Sequence, residues 1–189
     1  SQTTTSTNRI AYVNIDNQIV TANEDGTNKH QISSNGTFSW PTWSPDSKKI
    51  AYSGITKPNT YDEIGLFVSS IIDKTTKKIY VNNPDVPALI APKILHYTMW
   101  SPNSERLMFI SQTANYGLTL YLYNITDEKS PSLTLGSGPL YSSWAPNSDY
   151  LIVHKHENHF LVDATGYSKP EELPFNSISY RTPAWSTKG

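Results

Sequence analysis

The sequence has no cysteine, few charged residues and no long apolar run. The first absence excludes disulfides, thiol catalysis and cysteine metal sites, and it suits an exported protein that avoids stray disulfides. Charged residues make up 16% of the chain, against roughly 25% in ordinary soluble domains. The net charge is −1 with no block of one sign, so the clustered positive field that binds nucleic acid or an anionic membrane surface is missing. No stretch approaches the roughly 20 apolar residues of a membrane-spanning helix, and no direct membrane insertion is expected. Enzyme signatures are missing as well. There is no Gly-x-Ser-x-Gly elbow, no phosphate-binding glycine loop and no His-Glu-x-x-His; Gly136-Ser137-Gly138 reads as a loop. No catalytic residue and no cofactor are expected.

What is present is polar and suited to strands. Hydrophobic residues account for 37% of the 189 positions, among many Ser, Thr, Asn and Tyr, a profile of half-buried strands joined by polar turns. One unit recurs. Trp43-Ser44-Pro45-Asp46-Ser47 leads into Ile50-Ala51-Tyr52, Trp100-Ser101-Pro102-Asn103-Ser104 into Leu107-Met108-Phe109, and Trp144-Ala145-Pro146-Asn147-Ser148 into Leu151-Ile152-Val153. With Trp185-Ser186 these tryptophans are 57, 44 and 41 residues apart. A period of roughly 40–45 residues with several short strands per unit marks the blades of a β-propeller.

Each unit reads as four strands. The first ends at the tryptophan: Phe38–Trp43, Leu95–Trp100, Pro139–Trp144 and Tyr180–Trp185. A tight turn follows, in which Pro presets φ and Asp or Asn with Ser suits the remaining positions. The second strands are Lys49–Ser53, Arg106–Ile110 and Tyr150–His154, the third Gly65–Ser69, Thr119–Asn124 and His159–Asp163, and the fourth Lys78–Val81, Ser132–Leu135 and Glu171–Pro174. The start of the chain supplies Arg9–Val13, Gln18–Ala22 and His30–Ser33 without a first strand of their own. The two ends are in phase. If Asn8 followed Gly189, Ile10 would stand seven positions after Trp185, as Ile50 does after Trp43. The expectation is an all-β, closed four-bladed propeller of four-stranded antiparallel blades, with both termini sharing one blade. The competing expectation is part of a six- to eight-bladed ring. In the closed reading, residues 1–8 form a flexible linker or tail and residues 9–189 a single domain. Its blades run approximately 9–37 with 180–189, 38–94, 95–138 and 139–179.

The Trp-Ser-Pro-Asp/Asn-Ser unit with its Ile-Ala-Tyr strand resembles the TolB-type propeller repeat, which also occurs in the propellers of prolyl-oligopeptidase-like peptidases and oligogalacturonate lyases. The resemblance covers Arg9 to Ser186. It departs at Ser47, Ser104 and Ser148, where the family pattern has Gly. TolB itself has six blades and a separate N-terminal domain, so its full role is not carried over. The resemblance implies a periplasmic, secreted or cell-surface location and a protein-binding function.

The repeat tryptophans read as core, since a stacked array needs the same large apolar residue in every unit. The residues just ahead of them vary, and in a propeller they border the mouth of the central channel. Trp40, Tyr97 and Tyr141 stand three positions before their tryptophans, and His96 and Arg181 four before theirs. Together they form the expected ligand site, for a protein, peptide or glycan; the bland alternative for the aromatics is inter-blade packing. Long connections at 57–62 and 82–94 are further binding candidates. His154, His156 and His159 are the only metal candidates, with His154 and His156 on one strand face. His154 also fills the slot of Val13, Ser53 and Ile110, a core position, and no metal is expected. The functional expectation is a monomeric, non-catalytic binding module outside the cytoplasm, a sensor or adaptor part of a longer envelope protein. The alternative is the propeller of an enzyme, either the gate of a peptidase or a metal-dependent polysaccharide lyase.

Overall fold

The computed structural model describes residues 8–56, 64–81, 95–113, 117–127, 129, 132–178 and 180–187. Among them the chain forms fifteen strands in four sheets. The first holds β1 (Arg9–Val13), β2 (Ile19–Asn23) and β3 (His30–Gln31). The second holds β4 (Thr37–Trp43), β5 (Lys49–Ile55), β6 (Ile64–Ser70) and β7 (Thr76–Val81). The third holds β8 (His96–Trp100), β9 (Arg106–Thr113), β10 (Gly117–Asn124) and β11 (Ser132–Leu135). The fourth holds β12 (Leu140–Trp144), β13 (Tyr150–Lys155), β14 (Asn158–Asp163) and β15 (Glu171–Asn176). Every sheet is an antiparallel meander in chain order, as the repeat requires.

The core lies between sheets. Successive strand residues point to opposite faces, so the second strand of each unit feeds two cores. Ile50 and Tyr52 join Ile19, Phe38 and Phe67 between the first and second sheets, while Ala51 faces the third. Leu107 and Phe109 face the second sheet; Met108 and Ile110 meet Leu151, Val153 and Trp144 of the fourth. A strand covered on both faces is apolar throughout, which is why β5 and β9 show no polar alternation. A buried indole withdraws 150–250 Å² from water, at most roughly 4–6 kcal/mol at about 25 cal/mol/Å².

The turns explain the rest of the repeat. The Ser44 hydroxyl donates to Asp46 Oδ1 (2.6 Å) and accepts from the Lys49 amide (2.9 Å), while the Lys48 amide donates to the same carboxylate oxygen. Ser101 and Asn103 repeat this arrangement with the amides of Arg106 and Glu105. Ser47, Ser104 and Ser148 all adopt positive φ, a conformation that glycine adopts more readily. Two of these serines have a second task. The Asp46 amide donates to Ser104 Oγ (2.9 Å) and the Asn103 amide to Ser148 Oγ (3.0 Å), so each turn is bonded to the next sheet's turn. The Trp100 indole N–H adds a bond to the Thr42 carbonyl (3.0 Å). Trp43 and Trp144 differ: among the described residues their indole N–H groups are buried without an acceptor, and at the Trp144 junction Arg106 Nη1 bonds the Ser148 carbonyl instead.

The shared sheet expected from the phase of the two ends is not formed among the described residues. Among the described residues the first sheet has three strands, and 180–187 carry no ladder. The segment lies instead against the fourth sheet, where Trp185 Nε1 donates to the Ser143 carbonyl (2.9 Å), as Trp100 does to Thr42 two junctions earlier. The physical reason is the docking of this segment on β12 and β13, while β1 lies at the other end of the row of sheets.

Ser47 is exposed and Ser104 is buried against the preceding turn. Ser47→Gly should therefore raise stability by about 1 kcal/mol by relieving the positive φ, whereas Ser104→Gly should gain less or lose, because the Asp46 amide loses its acceptor. Thermal melts of the two variants check the difference in sign or size. Burial pushes Asp46 up, but the Ser44 hydroxyl, the Lys48 amide and the nearby lysines outweigh it and hold the carboxyl below its ordinary value; Asp163 is held low in the same way by Thr165 and Ser168. Such groups contribute stability above their unfolded-state value of 3.8 and lose that contribution as pH falls through the depressed one. Melting temperature should drop on acidification below about pH 4. Asp46→Asn, the residue standing at the matching positions 103 and 147, should flatten part of that drop in a pH series of melts.

Candidate binding surface

Two of the first strands are interrupted at the same place. Pairing of β4 with β5 steps from Ser39↔Ser53 to Thr42↔Ala51, so Trp40 and Pro41 oppose Tyr52 alone. Pairing of β8 with β9 steps from His96↔Ile110 to Thr98↔Phe109, leaving Tyr97 unopposed. Each is a β-bulge, which re-aims a side chain, and Pro41 fits one because it has no amide hydrogen to offer a ladder. Trp40 has φ 57° and Tyr97 φ 54°, left-handed values that cost a bulky L-residue about 1–3 kcal/mol. Both aromatics project into solvent, Trp40 at 69% and Tyr97 at 73% exposure. β4 and β8 are neighbours, tied by the Trp100 indole to the Thr42 carbonyl, so the two rings sit on matching positions of adjacent strands.

Tyr141 behaves differently. β12 has no bulge, and Tyr141 pairs with His154 across the ladder. Its ring is half-buried, 6.3 Å from Tyr180 in an edge contact and 6.5 Å from His154. His154 is fully buried. Its Nδ1 lies 2.6 Å from the Arg181 carbonyl, and since a carbonyl only accepts, Nδ1 carries the hydrogen; Nε2 then accepts from Ser177 Oγ (3.3 Å). The His154 and His159 rings stack at 4.5 Å and 4°, with Phe175 beyond His159. Arg181 is exposed, its Nη1 donating to the Tyr180 carbonyl.

The expected site thus divides. Trp40 and Tyr97 share an exposed surface, as proposed from their register. Tyr141 and Arg181 belong to the seat of the 180–187 segment. His96 opens β8, but its side chain lies outside the described residues, as do the connections at 57–62 and 82–94. The histidines do not gather: His154 and His159 stack in the core, while His156 stands exposed at the β13–β14 turn with φ 56°, not on a strand face with His154. Sequence reasoning missed Tyr180, exposed and at φ 66°, and two clefts between the outer strands. One of about 390 Å³ is lined by Arg9, Thr21, His30, Ser69 and Thr76, the other, about 440 Å³, by Lys49, Asp73, Lys77, Ile79 and Tyr123. Both are assembled from strands of different sheets, and no local motif announces them.

No protein-family model and no curated protein sequence matches the chain. Solved structures do match. TolB from Acinetobacter baumannii superposes with a TM-score of 0.57 at 20% identity, over 88% of this chain and 41% of that one. The chain folds as TolB-type propeller blades. The β-propeller domain of the Trilobed protease from Pyrococcus furiosus, described as having an open velcro topology, gives a TM-score of 0.61 at 16% identity over 89% of this chain and 53% of its own. A putative TolB from Agrobacterium tumefaciens gives 0.55 at 16% identity, over 96% and 66%. At these identities the likeness is one of fold, and the chain spans well under half of the Acinetobacter protein.

Proposed function

We propose that this chain is a non-catalytic binding module acting outside the cytoplasm, and that its TolB-type blades present Trp40 and Tyr97 to a peptide or glycan. The observation that carries the reading is the repetition of one strained feature. Two adjacent sheets each hold an exposed aromatic on a bulge at positive φ, three residues before the repeat tryptophan. Packing does not account for it, because neither ring is covered. Flat aromatics with few rotatable bonds are efficient contact groups: they stack on sugar rings or apolar side chains with little entropy to lose. The likeness to TolB structures supports the location outside the cytoplasm. Likeness to a protease propeller supports a second reading, in which these blades serve as the gate of a peptidase.

Trp40 provides its own reporter, since the other four tryptophans are half-buried or buried. Oligosaccharide and peptide panels titrated against the chain should quench Trp40 emission for one of the two classes. Trp40→Ala with Tyr97→Ala should weaken that binding by about tenfold or more, with the melting temperature little changed because both rings are exposed. Tyr141→Ala should instead lower stability, through its contact with Tyr180. An affinity that survives the double substitution places the ligand elsewhere, and peptide cleavage by the purified chain would overturn the non-catalytic reading.

A further inference from the structure

We propose that the cleft between the outer strands of the first and second sheets binds a small hydroxylated molecule carrying one oxyanion group, a carboxylate or a phosphate. The cleft holds about 390 Å³, within the range of small-ligand sites. Its walls include β2, β3, β6 and β7, so it lies toward the edge of the second sheet opposite β4 and Trp40. The first observation is the kind of side chain that meets here. At the two later junctions the corresponding strands meet through apolar groups: Val68, Ile79 and Tyr123 between the second and third sheets, and Leu122, Leu135 and Val162 between the third and fourth. At the first junction Thr21, His30 and Ser69 stand on those strands instead. Thr21 and Ser69 are buried, at 0% and 2% exposure, so this is not the polarity of an ordinary solvated face.

The second observation is positive charge without a carboxylate. Arg9 opens β1, and the matching positions of β5 and β9 carry Lys49 and Arg106. Those two meet acids. Lys49 Nζ lies 3.9 Å from Asp46, and the Arg106 charge acts on Asp163 while its Nη1 bonds the Ser148 carbonyl. Arg9 Nη2 donates instead to the buried Thr21 hydroxyl (3.0 Å), which holds the guanidinium at the cleft; among the described residues no carboxylate pairs with it. Lys74, at φ 56° on the β6–β7 turn, lines the same cleft. Asp73 beside it lines the neighbouring cleft and accepts from the Ser70 hydroxyl, and no Asp or Glu is among the described lining residues here. A guanidinium fixed in a partly enclosed site binds an oxyanion through paired N–H bonds, and the lysine adds a second charge.

The third observation is a line of hydroxyls leading to the cleft. Tyr52 Oη lies 2.8 Å from Ser69 Oγ, and Ser69 Oγ lies 2.7 Å from Thr76 Oγ1. Three hydroxyls carry three hydrogens and these two bonds use two of them, so one is left to donate. With buried Tyr52 as the first donor, exposed Thr76 presents that hydrogen at the cleft. Hydroxyls that both donate and accept suit the hydroxyl groups of a ligand, while Arg9 and Lys74 take its charge. Trp40 and Tyr97 take no part in this site.

The test titrates glucose 6-phosphate, gluconate and glucose, which share one carbon skeleton, into the ¹⁵N-labelled chain. Saturable shifts of the Thr21, Ser69 and Thr76 amides are expected with a charged probe at a Kd of about 1 mM or tighter, and glucose should bind about tenfold or more weakly. The tighter of the two charged probes tells whether the oxyanion is a phosphate or a carboxylate. Arg9→Gln and Lys74→Gln should each weaken that binding by about fivefold or more, whereas Lys169→Gln, an equal change of charge on the fourth sheet, should leave it as it is. Trp40→Ala with Tyr97→Ala should also leave it unchanged, so this site and the aromatic surface stand or fall separately. No saturable shift with either charged probe at about 10 mM overturns the proposal. So does glucose binding as tightly as the charged probes, or binding that neither Arg9→Gln nor Lys74→Gln weakens more than Lys169→Gln does. If Arg9→Gln does not fold, Lys74→Gln against Lys169→Gln decides.

Discussion

Neighbouring sheets of this protein share apolar cores, and directed bonds join the second, third and fourth above them. A turn serine accepts the amide of the preceding turn at both of those junctions, and at the first of them the Trp100 indole N–H also reaches back to the carbonyl before Trp43. Apolar contact supplies most of the free energy but no register, because burial is non-directional. The indole and serine bonds supply the register, since a slip by one residue would reverse every strand's faces. This explains why Ser stands where glycine would relax the backbone more fully. At positions 104 and 148 the hydroxyl is an inter-sheet acceptor, and the positive φ is tolerated for it. The ends of the row are distinctive, with Ser47 exposed at one and Trp185 bonded to Ser143 at the other.

Much of this was legible in the chain. β1 falls where Arg9–Val13 was read, and β11 and the starts of β5, β9, β13 and β15 coincide with their expected positions. The repeat tryptophans fix these limits, and Pro-Asp/Asn-Ser turns leave little freedom between first and second strands. The bulges were not legible as bulges. Trp40-Pro41 carries a hint in its proline, while Tyr97 carries none, because a positive φ at tyrosine follows from the ladder around it and not from the residue. The register argument did place both aromatics on one surface. Tyr141 stands half-buried on a straight β12 ladder and Arg181 meets buried His154 through its carbonyl, and neither arrangement is written in local sequence. The phase of the ends was also real, but phase fixes where a strand would pair and not which sheet it meets.

The proposed function joins these two lessons. A rigid stack of sheets is a sound mount for strained, exposed aromatics, because a bulge at positive φ persists only where its surroundings over-determine it. The bonded turns provide that support on β4 and β8. The buried His154–His159 pair then reads as part of the seat for the final segment, with one imidazole bonded to Arg181 and both near Ser177.

The central claim, that the Trp100 and Trp185 indoles each bond the carbonyl before the preceding repeat tryptophan, is tested most directly by indole N–H exchange measured residue by residue with ¹⁵N NMR, using exposed Trp40 as the internal reference. The account predicts that the Trp100 and Trp185 indole hydrogens exchange far more slowly than that of Trp40. Equal rates at Trp40, Trp100 and Trp185 would contradict it.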